Sequence, residues 1–492
     1  MLLLALLVVP LAPAVATGLF GWRPTVAWTH VGASAATLAL AVVLAVRVLD
    51  ETIVRFGNGV LRADALAAFM VLVVAIVGLL ASWSSTGYID TELATGHTTP
   101  AGARLYGALV PLFVAAMLLA LLAGNAAVTW IAIEGTTVAT AFLVGHRRNR
   151  ASLEASWKYV IIGSVGLALA FLGTIVLAYA ARAAGATSAN ALNWDTLTAI
   201  GGRLDPATAR LAGGLLLLGY GTKVGLAPMH TWLPDAHSQA PAPVSALMSG
   251  VLLAVAFSVI LRFKTIIDAA AGPGYMRGLL IVMALLSLAV AASLMLGQRD
   301  AKRLLAYSSI EHMGVLAFAA AVGTRLAAAA LLLHVIAHAL GKTAAFLAVG
   351  ELPLAEGTTR ITELRGLLTR RPALGGCIAL AIIALLGLPP FGLFASELAL
   401  ARAGFDAKLG WSTAAVFAVL AAATAALLYQ AQRILLGPPT PTVDSQQLAV
   451  LASPRATLMV PLVSALIALG LLGITLGPLQ QLLNAAARIV AR

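Results

Sequence analysis

The chain has 492 residues, of which 61% are hydrophobic and only 10% are charged, with a formal net charge of +12. A soluble protein of ordinary composition carries about 25% charged residues, so a water-soluble globular fold is excluded. The basic residues lie in short loops between apolar runs, which indicates membrane anchoring and not nucleic-acid binding. The single cysteine, Cys377, excludes an internal disulfide and an iron–sulfur cluster held by this chain alone.

Apolar runs of roughly 20 residues, long enough to cross a bilayer as helices, recur along the whole chain. They predict an all-α polytopic membrane protein with about 14 transmembrane helices. A signal peptide is the alternative for the first run, but no basic residue precedes it, which favours a membrane helix. The predicted spans lie near residues 1–19, 26–46, 63–83, 105–123, 126–145, 157–181, 208–229, 241–262, 277–297, 304–323, 326–349, 373–400, 411–436 and 456–484.

Three dense basic clusters indicate the orientation of the spans. They read "HRRNR" from His146, "QRDAKR" from Gln298 and "RGLLTRR" from Arg365. All three fall on one side of the predicted membrane when the N-terminus is placed outside. Since basic loops are enriched on the cytoplasmic side, we predict that this side faces the cytoplasm.

Two predicted spans are interrupted by glycine and proline. Span seven carries "GLAP" at residues 225–228, and span twelve carries "GLPP" at residues 387–390. Interrupted spans in matching positions are typical of repeated bundles with broken helices. The two lie five spans apart, and because five is odd, successive copies would have inverted topology. The prediction is an N-terminal three-helix segment over 1–104, two inverted five-helix repeats over 105–265 and 266–437, and a C-terminal helix over 438–492.

Charged residues inside the predicted spans are few. Each costs about 2.5–3.5 kcal/mol on insertion scales, so such residues face the bundle interior and mark a pathway. Glu134 lies in the middle of span five, and Lys223 precedes the break in span seven. A lysine whose charge depends on a movable glutamate can take up and release a proton. The alternatives are a protonated, hydrogen-bonded carboxyl at Glu134 and a purely structural ion pair.

A second group of titratable residues lies in spans ten to twelve. His334, His338 and Lys342 are spaced by four residues and therefore lie on one helix face. Because histidine changes charge near neutral pH, such a stripe can relay protons. His312 in span ten and Glu397 beyond the break in span twelve complete the group. Hydrogen-bonded packing residues are the alternative.

The remaining polar residues near span seven are His230, Asp235 and His237, which border its break. They form either a site of proton uptake or a hydrogen-bonded loop cluster. The chain carries no nucleotide-binding glycine loop, no HExxH motif and no nucleophile elbow. We therefore predict no catalytic, cofactor-binding or metal-binding residue.

Four segments of the chain resemble a known family. "GTKVGLAPMHTWLPDAHSQAPAPVSALMSGVLL", "DAKRLLAYSSIEHMG", "HVIAHALGKTAAFLAVGE" and "GLPPFGLFASE" follow one another in the family's order. They are similar to the antiporter-like proton-pumping membrane subunits of respiratory complex I, Mrp-type antiporters and group 4 hydrogenases. The first segment most resembles the hydrogenase-4 component F branch. The resemblance implies fourteen helices in two inverted repeats.

The resemblance also implies roles for individual residues. Glu134 matches the glutamate of the fifth helix and Lys223 the lysine of the broken seventh helix. His334, His338 and Lys342 match the polar axis of the eleventh helix, and Glu397 the exit residue of the twelfth. The sequence departs from the family pattern in predicted span eight, which has no lysine or histidine between Val244 and Leu261. Either Ser245 and Ser249 bridge this gap with water, or His312 and His334 reach across it.

We therefore expect a proton-translocating membrane subunit of a complex I-like respiratory hydrogenase or oxidoreductase, in a prokaryotic cytoplasmic (inner) membrane. Expected partners are other membrane subunits, related antiporter-like subunits among them, and peripheral iron–sulfur, hydrogenase or dehydrogenase subunits that carry the redox chemistry. No cofactor is expected on this chain. The alternatives are an Mrp-type sodium/proton antiporter subunit and a non-pumping structural subunit.

Overall fold

The computed structural model describes residues 1–438 and 456–491 and is almost entirely helical there. Within these residues, twelve helical segments are long and apolar enough to cross a membrane. This confirms the predicted all-α polytopic membrane fold. The predicted span twelve falls outside that set because it is broken into helices of 14 and 15 residues. The helix of span seven, Pro206–Val224, has 19 residues but is not apolar enough to be included. The count of fourteen spans therefore stays a prediction.

The N-terminal segment contains four helices and one short hairpin. Its first span is interrupted near Pro10, which has no N–H to donate to the preceding turn. The two strands are antiparallel, with Val54 opposite Ala63. The elements are α1 (Leu2–Val8), α2 (Leu11–Phe20), α3 (Pro24–Glu51), β1 (Val54–Phe56), β2 (Leu61–Ala63) and α4 (Ala65–Ala94).

The first half of the bundle ends in a continuous span of 30 residues, Ala242–Ala271, which contains one π-helical turn at Met248–Leu252. A 3₁₀ turn, Gly201–Arg203, follows α8. The helices are α5 (Pro100–Leu122), α6 (Ala126–Val144), α7 (Arg150–Ala183), α8 (Trp194–Ile200), α9 (Pro206–Val224), α10 (Trp232–Gln239), α11 (Ala242–Leu247) and α12 (Leu253–Ala271).

The second half and the C-terminal part follow. The predicted fourteenth span, 456–484, is too long, because the helix ends at Ile474 and a separate amphipathic helix comes after it. Residues 439–455 of the predicted C-terminal segment lie outside the described residues. The helices are α13 (Pro273–Leu296), α14 (Ala301–Val322), α15 (Arg325–Gly350), α16 (Leu352–Glu356), α17 (Leu367–Arg370), α18 (Pro372–Leu385), α19 (Gly392–Asp406), α20 (Gly410–Leu435), α21 (Ala456–Ile474) and α22 (Leu479–Val490).

Polar side chains fix where several long helices begin. An aspartate, asparagine or threonine at the N-cap accepts a hydrogen bond from a backbone N–H of the first turn, which would otherwise lack a partner. Each of these residues lies in a loop directly before an apolar run, so the sequence itself sets the helix start. The capping residues are Asp64, Thr99, Asn125, Asn149, Asp205, Asp300 and Thr324.

Both predicted helix breaks occur where the sequence places them. Helix α9 ends at Val224 and is followed by Gly225, which has a φ of +82°, and α18 is followed, after Leu386, by Gly387, with a φ of +65°. Glycine suits these positions because a side chain is disfavoured at positive φ. The peptide bonds before Pro228 and Pro390 are cis. The inverted relation of the two halves and the domain boundaries stay predictions.

The centre of the bundle is formed by α12, α14 and α15, whose apolar windows are buried along their whole length. Helix α15 packs against α4, α11, α14, α18, α19 and α21. By contrast, α3, α20 and α21 have fewer than half of their apolar residues buried. The titratable residues in the middle of α14 and α15 are therefore held inside the protein, away from the lipid.

One ion-pair cluster joins distant parts of the chain at the hairpin end. Asp64 Oδ1 and Oδ2 accept from Arg262 Nη2 and Nη1, both at 2.8 Å, and Oδ2 also accepts from Arg62 Nη1 at 2.6 Å. Burial alone would raise the pKa of the Asp64 carboxyl, but the two guanidiniums hold this pKa well below its usual range. The cluster therefore ties the start of α4 to α12.

Candidate functional site

Lys223 lies in the last turn of α9 and is 1% exposed. Its ammonium donates to Thr137 Oγ1 at 2.8 Å and to Tyr159 OH at 2.5 Å. The Tyr159 hydroxyl is also 2.6 Å from Thr140 Oγ1, so the lysine begins a short chain of hydroxyls. A cation at a helix C-terminus is favoured by the helix dipole. Two buried hydroxyls and the helix end thus contact the charge directly, and no carboxylate among the described residues does.

Glu134 is half-buried on α6 and does not pair directly with Lys223. One carboxylate oxygen accepts from Ser164 Oγ at 3.3 Å, and the other has no hydrogen-bond partner among the described residues. Thr137, one helical turn further along α6, accepts a hydrogen bond from the lysine instead. Proton exchange between Glu134 and Lys223 therefore requires water or a movement of one side chain.

The three residues predicted for proton uptake do not form one cluster. Asp235 pairs with Lys158 at 3.1 Å and with Arg303. His230 is half-buried, and its Nδ1 has no partner within the described chain. His237 differs from both, because it is fully buried and neither ring nitrogen is hydrogen-bonded there. The structure thus places His237 in the interior and Asp235 in a partly exposed ion-pair cluster.

His237 lies next to predicted span eight (α11 and α12), which carries no lysine or histidine between Val244 and Leu261. Its ring stacks on Phe346 with centroids 5.1 Å apart. Phe346 follows Lys342 by four residues on α15, so the two lie on the same face of the helix. Ser245 donates to the His237 carbonyl at 3.1 Å. No hydrogen bond among residues 1–438 and 456–491 joins His237 to the hydroxyls around Lys223.

Lys342 is fully buried near the middle of α15 and contacts α14. Its ammonium donates to Ser308 Oγ at 2.7 Å and to the Leu305 carbonyl at 2.8 Å. Glu311 lies one turn after Ser308, is 1% exposed, and has one carboxylate oxygen without a partner in the described residues. Glu311 was not singled out from the sequence. A charge in the middle of a predicted span was the signal that could have found it.

Three histidines lie between α14 and α15. The His312 ring lies 5.2 Å from His334 and 5.0 Å from His338, measured between centroids. His312 Nδ1 and His334 Nε2 are 3.1 Å apart and hydrogen-bonded. Neither nitrogen of His338 has a partner in the described part of the chain. The predicted stripe on α15 is therefore connected through His312.

Ser396 and Glu397 on α19 end the group. His334 Nδ1 is 2.9 Å from Ser396 Oγ, and this hydroxyl donates to the Leu393 carbonyl at 2.8 Å. Glu397 is half-buried, and a Cβ added at Gly387 would lie 2.3 Å from its Oε2. The break before α19 therefore brings the carboxylate to the histidines, and glycine leaves room for it.

After Ser245, Ser249 provides the second polar contact from predicted span eight. Its hydroxyl lies 2.7 Å from that of Ser309 on α14, one residue from the Ser308 that binds Lys342. His312 and His334 also touch directly. The two expected ways of crossing the gap in span eight stay predictions.

The comparisons with known proteins agree with this architecture. The family model described as "NADH:quinone oxidoreductase/Mrp antiporter, TM" matches residues 123–423. That range contains every residue of the candidate site from Glu134 to Glu397. A hydrogenase-4 component F homolog of Methylacidiphilum infernorum is 39% identical over 381 residues, or 76% of this chain and 79% of the relative. The NADH-quinone oxidoreductase subunit N of Deinococcus radiodurans is 34% identical over 392 residues, 78% of this chain and 75% of the relative.

Solved structures share the fold over nearly the whole chain. A chain of an archaeal membrane-bound sulfane sulfur reductase superposes with a TM-score of 0.85 at 21% identity, covering 100% of this chain and 98% of that one. A chain of the Mrp complex of a Dietzia species gives 0.82 at 22% identity, with 99% and 97% coverage. With the family match over residues 123–423, these findings establish that the chain belongs to the antiporter-like membrane subunits of the NADH:quinone oxidoreductase/Mrp antiporter family.

Proposed function

We propose that this chain translocates protons across a prokaryotic cytoplasmic membrane, as a subunit of a complex I-like respiratory hydrogenase or oxidoreductase. The observation that carries the proposal is a series of buried and half-buried titratable side chains. Five of them, Glu134, His237, Glu311, His312 and His338, have a nitrogen or oxygen without a hydrogen-bond partner among the described residues. Such groups are costly inside a membrane protein unless they bind water or exchange protons. The residues are Glu134, Lys223, His237, Glu311, His312, His334, His338, Lys342 and Glu397.

Lys223 is the proton donor of the first half. Its ammonium is held by two hydroxyls and not by a carboxylate, so the stability of its charge depends on how close Glu134 comes. When the Glu134 carboxylate approaches, the lysine keeps its proton. When the carboxylate withdraws to Ser164, the lysine releases the proton through confined water toward His237 and Lys342. A charge change in a neighbouring subunit near half-buried Glu134 would drive this alternation.

The second half passes the proton from Lys342 to Glu397. Glu311 and the three histidines would carry it between them, and the ring contacts of 5.0–5.2 Å keep the steps among the histidines short. Glu397, half-buried beside the helix break, then releases the proton to the outer side. At each step the proton binds to a lone pair of the next side chain. Reduction and oxidation would take place on partner subunits.

The partners that fit this role are other membrane subunits, related antiporter-like chains among them, and peripheral iron–sulfur, hydrogenase or dehydrogenase subunits. The named relatives support this, since they are a hydrogenase-4 component F homolog and an NADH-quinone oxidoreductase subunit. We also propose the division of the chain into 1–104, 105–265, 266–437 and 438–492, of which 439–455 lies outside the described residues.

The test is proton flux in proteoliposomes that contain the whole purified complex, driven by its electron donor. Lys223→Met and Glu134→Gln should abolish the flux, while the complex still assembles. The exposed Lys408 and Glu51 provide matched controls, because Lys408→Met and Glu51→Gln make the same chemical changes outside the candidate pathway. Wild-type flux in both pathway variants would refute the proposal. Flux that requires sodium and no electron donor would instead support an Mrp-type antiporter.

A further inference from the structure

Three side chains of α14, α15 and α19 approach one another closely enough to share an ion. One ligand atom each of His312, His334 and Glu397 lies within 4.8 Å of the other two. We propose that these three residues form a binding site for a divalent transition-metal ion of the zinc type. No residue of this site follows another in a recognisable metal-binding spacing, because the three come from separate helices.

The distance between the two imidazoles suits such an ion. His312 Nδ1 and His334 Nε2 are 3.1 Å apart. In a tetrahedral zinc site with Zn–N bonds of about 2.0–2.1 Å, two ligand nitrogens are separated by about 3.3 Å. The histidine pair thus needs only a small adjustment. From the outer limit of 4.8 Å the carboxylate has to approach by about 1.5 Å to reach a ligand separation of about 3.3 Å, which a side-chain rotation supplies.

The hydrogen bonds around His334 place its proton on Nδ1 and leave Nε2, the nitrogen nearest His312, without a proton. Ser396 donates its hydroxyl hydrogen to the Leu393 carbonyl, so its oxygen accepts from His334 Nδ1. His334 Nε2 therefore carries a lone pair directed at His312. A metal-binding histidine ordinarily donates its other N–H in this way, which fixes its ring orientation. Ser396 has that position here.

His312 can bind the ion after a change of tautomer. Its Nε2 is buried without a partner among the described residues, and its Nδ1 bonds only to His334. When a metal ion replaces the shared hydrogen, the proton moves to Nε2 and only the bond between the two rings is lost. Glu397 makes no hydrogen bond or ion pair with any described residue, so its carboxylate is also available.

The ligand set selects the class of ion. Two imidazoles and one carboxylate suit Zn²⁺, Cu²⁺ or Ni²⁺, whereas Mg²⁺ and Ca²⁺ require mainly oxygen ligands. Glu397 is half-buried and both histidines are buried, so an ion reaches the rings past the carboxylate. A bound ion would occupy the lone pairs of the proposed proton pathway, and this consequence alone rests on the proposed function.

The experiment measures zinc in the whole complex, purified on an affinity tag without histidine and dialysed against buffered free Zn²⁺. We expect the wild type to hold one more zinc ion per chain than Glu397→Gln or His334→Asn. His30→Gln, which changes a buried histidine of α3 bonded to Thr17, should retain the ion. Ser396→Ala should weaken binding about 10–100-fold. Ca²⁺ in excess should not displace the zinc.

Equal zinc contents in the wild type and in both ligand variants would overturn the site, as would displacement by Ca²⁺. Thermal unfolding checks that the variants fold. If His334→Asn does not fold, the zinc content of Glu397→Gln, which keeps the shape of the side chain, decides the test. Proton flux in the same samples separates the two proposals. Zinc that binds at these residues without slowing the flux supports the metal site and contradicts the proton pathway through them.

Discussion

Replacing Asp64 by asparagine tests the ion-pair cluster that holds the hairpin end of the bundle. The wild-type carboxylate is 3% exposed and makes three charge-assisted hydrogen bonds, two with Arg262 and one with Arg62. An asparagine side chain keeps the cap on Ala67 but turns an N–H toward the guanidinium donors. Removing one partner of a buried ion pair costs about 3–5 kcal/mol, because the other charge stays buried without compensation.

Asp195 provides the matched control. It also binds two arginines, Arg55 and Arg62, both at 2.8 Å, but its side chain is 46% exposed. Solvent screens such pairs, and they contribute about 0–1 kcal/mol. Asp195→Asn should therefore change the stability much less than Asp64→Asn, although both substitutions remove one negative charge next to arginine.

The assay is thermal unfolding in detergent followed by tryptophan fluorescence, with all samples scanned at one rate. Trp194 is a local reporter, since the Arg262 guanidinium lies 5.8 Å from its ring centroid. The Tm of Asp64→Asn should fall by several degrees and that of Asp195→Asn should stay near the wild-type value. Equal Tm values for Asp64→Asn and the wild type would refute the assigned role of the buried cluster.

The pH dependence has a definite sign. The pKa of Asp64 is held below its ordinary value in the folded protein. Its contribution to stability is therefore complete above the unfolded pKa of about 3.9 and is lost as the pH falls below that value. The Tm difference between the wild type and Asp64→Asn should accordingly be constant from pH 5 to pH 8, roughly, and shrink in more acidic buffer.

Three further substitutions test the candidate site by proton flux in proteoliposomes. Glu311→Gln removes a buried carboxyl that can bind a proton, so flux should fall at least about tenfold with normal assembly, and unchanged flux would remove Glu311 from the pathway. Tyr159→Phe removes one of the two hydroxyls that accept from the Lys223 ammonium. Because a hydrogen bond to a charged group contributes about 1.5–3 kcal/mol, the flux should fall roughly tenfold or more. A loss below about twofold would contradict this. Gly387→Ala places a methyl group 2.3 Å from Glu397 Oε2 at a positive φ, so both flux and Tm should fall. Gly376→Ala, in the helix α18 that precedes Gly387 and with open space around it, should alter neither. Equal results for the two glycines would argue against the contact.

Much of the fold follows from the sequence because a membrane helix is specified locally. Runs of about 20 apolar residues determine the spans, and glycine with proline determines the breaks at 225–228 and 387–390. The burial of Lys223, His334, His338 and Lys342 also follows from local sequence, since charged groups within a span avoid lipid. The end of span fourteen was misplaced because the amphipathic α22 continues the apolar pattern of α21.

Only the tertiary structure decided which side chains meet. Helical periodicity specifies a face, but the partner of that face depends on packing between residues far apart in the chain. Lys223 therefore meets Tyr159, 64 residues away, and not Glu134. His334 meets His312 across 22 residues and Ser396 across 62, a convergence that no spacing along a single helix could indicate.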